Sequence, residues 1–146
     1  MSKKPRDRRR HQRGQPLPDF RRAAIQRFAA AQFLLKSEVY ALDAVYLAGY
    51  AVECALKAVI VEWTPRTKRA ARVEDFKGAI AHDFEYLRGL LARCKCVMPP
   101  EVAEGMRPIV WRSTNLRYEV GLIDYNDAES AVKAAEHVLE WMKRSL

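Results

Sequence analysis

The chain has 146 residues, 49% of them apolar, which is enough for one domain with a core and too little for two. Its formal charge of +8 looks like a signature of nucleic-acid binding, but residues 1 to 22 hold nine Lys/Arg against Asp7 and Asp19. That leaves 17 basic and 16 acidic side chains for the rest, so the basicity belongs to a tail and the folded part is close to neutral.

Residues 1 to 18 (MSKKPRDRRRHQRGQPLP) lack an apolar segment before Pro16 and carry Gly14, Pro16 and Pro18, so a disordered basic tail is predicted. Arg8, Arg9, Arg10 and Arg13 in it are candidates for contacts with nucleic-acid phosphates through counterion release; a solubility arm or a partner-binding peptide would have the same composition. No apolar core follows the charges as a secretory signal requires, and the longest charge-free apolar run, Ala44 to Val52, is too short to span a bilayer. A cytoplasmic protein without a membrane segment is expected. Cys54, Cys94 and Cys96 make an odd count with no histidine cluster beside them, which implies reduced thiols and no metal site. No cofactor is expected either.

From Asp19, a plausible N-cap, to about Lys36 apolar residues recur at Ala24, Ile25, Phe28, Ala31, Leu34 and Leu35, the spacing of a helical stripe. A second helix, roughly Val39 to Trp63, carries charge only at Asp43, Glu53, Lys57 and Glu62 and must be covered on more than one side. Residues 64 to 77 (TPRTKRAARVEDFK) read as a loop or short irregular insert, basic at Arg66, Lys68, Arg69 and Arg72. Helical spacing resumes with Ile80, Phe84, Leu87 and Leu91, and a shorter helix starts at Pro99-Pro100, since proline is tolerated in a first turn.

After Trp111 a polar stretch, RSTNLRYEVGLIDY, leads to Asn126 and Glu129 at capping-box spacing. Ala128, Ala131, Val132, Ala135, Val138, Leu139 and Met142 then form one stripe to the C-terminus, with Lys143 and Arg144 placed to complement the macrodipole. No alternating strand pattern, internal repeat or glycine-rich phosphate loop occurs. The predicted fold is all-α: an up-and-down bundle of four to five helices over residues 19 to 146, behind the tail.

Four landmarks carry a resemblance to a known family. They are YLAGYAVECALKAVI (46 to 60), His82-x-Phe84-x-x-Leu87, Trp111 through Leu116-Arg117-Tyr118, and the alanine-rich closing helix. Together they resemble the HEPN family over about residues 20 to 146. The resemblance implies an all-α bundle that usually dimerises, found in prokaryotic defence and toxin–antitoxin systems. Many members are metal-independent endoribonucleases; others partner a minimal nucleotidyltransferase or bind RNA without cleaving it. The family's ribonuclease signature is an arginine and a histidine with four to six residues between them, and this chain departs from it. After Arg112 the window holds Arg117, Tyr118 and Glu119, and after Arg117 it holds Leu122, Ile123 and Asp124. Arg6 and His11 meet the spacing, but only inside the tail. Metal-free RNA cleavage needs a proton shuttle near neutral pH, and arginine is a poor one.

Glu53, Arg112, Arg117 and Tyr118 are therefore the candidate ligand-binding residues, with a noncatalytic RNA- or nucleotide-binding accessory role as the leading expectation. Glu53 reads either as half of a surface pair with Lys57 or as an acid in a groove that orients Arg117. Gly49, costly by about 1 kcal/mol inside a helix, favours the groove. If the protein is an enzyme, Arg117, His82 and Glu53 are the candidate catalytic residues. His82 reads first as a structural or capping histidine, and His137 as a solvated one. The apolar second helix implies a homodimer, unless residues 64 to 77 fold back over it.

Overall fold

The computed structural model describes residues 16–107, 109 and 120–146. The tail residues Arg8, Arg9, Arg10 and Arg13, and Arg112, Arg117 and Tyr118, lie outside the described residues. Helix α1 spans Phe20–Leu35, α2 Ala41–Trp63, α3 Arg69–Glu74, α4 Phe84–Arg93, α5 Pro100–Gly105 and α6 Tyr125–Ser145. Among the described residues there is no strand, and the fold is the expected all-α bundle.

Helix α2 is its axis. Α1, α6 and α4 all pack on it, and from Ala51 to Ile60 every side chain is buried, whichever way it points. This is the coverage that its near-continuous apolar character demands. The segment Glu38–Trp63 is long and apolar enough to cross a membrane, contrary to the expectation drawn from the shorter run Ala44 to Val52, because its few charges are widely spaced. Yet 78% of its most apolar 18-residue window is buried inside the bundle, so its apolarity is spent on the core. The helix ends where Thr64, extended ahead of Pro65, turns its hydroxyl back to Ile60 O at 2.6 Å.

The other helices follow their stripes with local corrections. Asp19 caps α1 by accepting from Arg22 N at 3.0 Å, and Ala24 and Ala31 are fully buried, whereas Ile25 faces outward. Residues 64 to 77 are more ordered than a loop: a 3-10 turn, Arg66–Lys68, runs into α3. Ile80 is exposed and belongs to a 3-10 turn, Ala79–His82, instead of leading the α4 stripe. Asp83 starts α4, accepting from Glu85 N at 2.8 Å, which buries Phe84, Leu87, Leu90 and Leu91. Pro100 opens α5 as expected. The cap of α6 is Asp124, which accepts from Asn126 N at 2.8 Å, so the expected Asn126 box gives way to a start two residues earlier. The α6 stripe is buried as read, with Trp141 added to it.

Candidate functional site

Glu53 lies midway along α2 with its side chain only 9% exposed, and Lys57, one turn on, is equally covered. Lys57 Nζ donates to Glu53 Oε1 at 2.7 Å. The surface-pair reading of these residues is thus overturned: the pair is buried, because α1 and the segment after α3 close over this part of α2. Phe76, an unforeseen member, does the closing. Its ring lies 5.5 Å beneath Lys57 Nζ and meets Phe20, at the start of α1, edge-on at 5.5 Å. A cation over an aromatic face recovers part of the hydration that the ammonium loses on burial. Phe76 thus brings the end of the segment 64 to 77 back over α2 at Lys57, while Tyr50 and Trp63 on the same helix stay exposed.

His82 completes the cluster. Gly78, at φ 87 and ψ 177, occupies a backbone region nearly exclusive to glycine and starts the 3-10 turn that delivers His82 to α2. His82 Nδ1 sits 2.8 Å from Glu53 Oε1. A carboxylate offers only lone pairs, so His82 donates to it through Nδ1–H, and Nε2 is left unengaged by Glu53. The side chain remains 47% exposed. Buried carboxylate, buried ammonium and half-exposed imidazole converge on one oxygen.

On the α1 side, Arg27 stands 5.6 Å from the centre of the Tyr50 ring. Tyr46, Tyr50, Glu53 and Lys57 share one face of α2 at helical spacing, so Arg27, Tyr50 and His82 line an accessible edge above the buried pair. The Tyr50 phenol is held above its ordinary value, first by the charge Cys54 would carry on ionising, then by burial and by Glu53, with Arg27 opposing. The Cys54 thiol is pushed up to about 11, mainly by burial and then by Glu53. Both groups keep their protons at neutral pH, which makes Cys54 a poor nucleophile. Among the described residues no cluster of three or more His, Cys, Asp or Glu side chains could hold a metal ion.

Of the sequence-predicted site residues, Glu53 and His82 are brought into direct contact, and His137 is exposed on α6 as expected. Arg27 was missed. Its signal, a basic residue four positions from the buried Ala31 and three from Ala24, is shared by many solvated helix faces.

A family profile described as HEPN domain matches residues 17–145. No curated protein and no solved structure matches the chain. The profile spans every helix of the bundle, including the α2 face and the turn that bring Glu53 and His82 together, and the chain belongs to the HEPN domain family.

Proposed function

We propose that this protein binds RNA or a nucleotide at the edge lined by Arg27, Tyr50 and His82, acting as a noncatalytic accessory or regulatory module. The observation that carries the reading is the His82–Glu53 contact at 2.8 Å, with the imidazole fixed by a buried acid yet half-exposed. A histidine serving only the core would be covered; one presented this way is oriented toward something outside the chain. Arg27 offers donors to a phosphate, His82 Nε2 offers an acceptor to a ribose hydroxyl, and the exposed Tyr50 ring offers a face for a base. Arg112, Arg117 and Tyr118 are proposed as further contacts to the same ligand. The reading extends to a homodimer in the cytoplasm, within a defence or toxin–antitoxin-like system.

A second reading, a divergent metal-independent endoribonuclease, is favoured by the same contact seen as a dyad. With Glu53 holding Nδ1–H, His82 Nε2 is free to take the proton of a 2′-hydroxyl. The 2′-oxygen then attacks phosphorus, and the P–O5′ bond breaks as the 5′-oxygen takes the proton back from His82 Nε2–H or from water, giving a 2′,3′-cyclic phosphate and a 5′-hydroxyl. The absence of the family's arginine–histidine spacing from residues 19 to 146 places this reading second.

One experiment separates them. Mixed-sequence RNA, and separately a mononucleotide, are incubated in EDTA with the wild type, His82→Ala and Arg117→Ala, and both affinity and cleavage are followed. Binding without cleavage, weakened roughly three- to tenfold by His82→Ala, supports the first reading, since a charged or polar contact contributes about 1 kcal/mol. Cleavage that His82→Ala abolishes replaces it with the second. If neither ligand binds, both readings fall and a role as interaction partner of a nucleotidyltransferase is left. Repeating the affinity measurement on a chain starting at Pro18 separates the tail from the groove.

A further inference from the structure

One end of the bundle gathers basic side chains around an exposed tryptophan. Trp63, the last residue of α2, is 46% exposed although its Nε1 donates to Ser145 O at 3.1 Å. Its only donor is therefore satisfied, and what it presents outward is ring surface. The bond also fixes the last turn of α6 beside it, bringing the exposed Lys143 and Arg144 to the same end.

Other contacts bring further cations there. Arg69 Nε donates to Thr64 O at 3.0 Å and Arg69 Nη2 to Glu62 O at 2.9 Å, fastening the start of α3 over the end of α2. The turn between them carries Arg66 and Lys68, both exposed. Cys94 Sγ lies 3.6 Å from Thr64 Oγ1, so the end of α4, with exposed Arg93 and Lys95, arrives as well.

Cations in the last turns of α4 and α6 complement the dipoles of those helices, and that accounts for Arg93, Lys143 and Arg144 taken singly. It does not account for Arg66 and Lys68, which stand beyond the cap of α2, or for an indole left uncovered among them. Of the acids nearby, Glu62 is engaged by Arg69 at 3.7 Å, and Glu140 lies one turn behind Arg144. The balance is positive, and aromatic rings set among cations are what unpaired bases and their phosphates require.

We propose that this end of the bundle is a second surface for single-stranded RNA, with a base stacked on Trp63 and phosphates on Arg66, Lys68, Lys143 and Arg144. It is separate from the groove: Glu53 and Trp63 stand ten residues apart on α2, roughly 15 Å along its axis. Duplex RNA, whose bases are already stacked, binds this surface more weakly than a single strand.

The test is the affinity of the full-length protein for a short mixed-sequence single strand, against salt, by fluorescence anisotropy. Trp63→Ala is expected to weaken binding about five- to hundredfold, the range of one base–aromatic stack. Trp63→Phe, which keeps a ring and gives up the bond to Ser145, retains most of the affinity. Lys143→Ala with Arg144→Ala flattens the salt dependence by about one to two phosphate contacts. Should Trp63→Ala fail to fold, Trp63→Phe and the paired basic variant decide. The proposal is overturned if the aromatic and basic variants bind as the wild type does, if duplex and single strand bind equally well, or if the wild type binds anionic vesicles and no RNA. A loss confined to His82→Ala would overturn it while leaving the groove intact, and a loss confined to Trp63→Ala would do the reverse.

Discussion

Lys57 and His82 meet at a single atom. Both approach Glu53 Oε1, at 2.7 and 2.8 Å, one from within the bundle and one from its edge. The buried ammonium and carboxylate depend on each other, and the exposed imidazole depends on both for its orientation. Removing one member of a buried pair strands a charge and costs about 3–5 kcal/mol, whereas replacing both with apolar groups of similar size is close to neutral. Lys57→Met alone is therefore expected to destabilise the protein by a few kcal/mol. Glu53→Leu together with Lys57→Met recovers most of that loss while abolishing whatever function needs a held His82. Urea denaturation of the two single variants and the double variant measures the coupling, and additive losses would show that the pair is not the unit described here.

Gly78 governs where His82 stands. Its φ of 87 with ψ 177 is closed to other residues, while a Cβ built there meets nothing within 4 Å. Gly78→Ala thus isolates a backbone cost from any steric one. The expected loss is about 1–3 kcal/mol, or else a shift of the 3-10 turn that releases His82 from Glu53. A denaturation curve reports the first outcome. The second shows as a changed His82 ring signal by NMR at unchanged stability.

The sequence makes the long elements legible because periodicity averages over many residues: the α6 stripe is buried as read, and α2 is covered all round as its composition requires. Short elements escape the same logic. Α3 has six residues, too few for a period, and Ile80 looks like the first residue of the α4 stripe until the 3-10 turn rotates it outward. Asp124, Asn126 and Asp127 all make good caps, so spacing alone could not choose among them. In the site, Glu53 is conspicuous as an acid within an apolar helix, but its contact with His82 spans 29 residues across a glycine-directed turn. Nothing local in the sequence encodes that distance. Phe76 was hidden in a stretch without a pattern.

Lys95 ends α4 in a conformation usually left to glycine. Its φ is 60, and the two hydrogen bonds of a Schellman motif surround it, Lys95 N to Ala92 O at 3.0 Å and Cys96 N to Leu91 O at 3.2 Å. A side chain there costs on the order of 1 kcal/mol that glycine does not. Lys95→Gly is expected to raise stability by about that amount, an upward shift of several degrees in Tm for a domain of this size. Lys95→Val, β-branched at the same φ, should lower it. Both are read by thermal melts. Because the substitution also removes a cation from the Trp63 surface, Lys95→Gly should weaken RNA binding slightly while stabilising the fold, a combination that a purely structural lysine would not give.

Cys54 makes stability depend on alkaline pH in a known direction. Its thiol is pushed up from 9.0 to about 11 in the folded chain, mainly by burial and then by the Glu53 carboxylate. The folded state thus holds this proton more tightly than the unfolded state does. Its contribution is complete below about pH 9 and is lost as pH rises toward about 11, where the folded thiol also ionises. The loss is on the order of 2–3 kcal/mol. Tyr50 and Cys96 are shifted the same way, so the informative quantity is the difference in pH slope between the wild type and Cys54→Ala. Denaturation midpoints measured from pH 7 to 11 should converge with those of the variant at the upper end. A constant gap across the range would mean that the thiol is not buried beside Glu53. Alkylation gives an independent check: Cys54 should react with iodoacetamide far more slowly than the partly exposed Cys94 at pH 8, and Glu53→Gln should narrow that difference by removing the nearby negative charge.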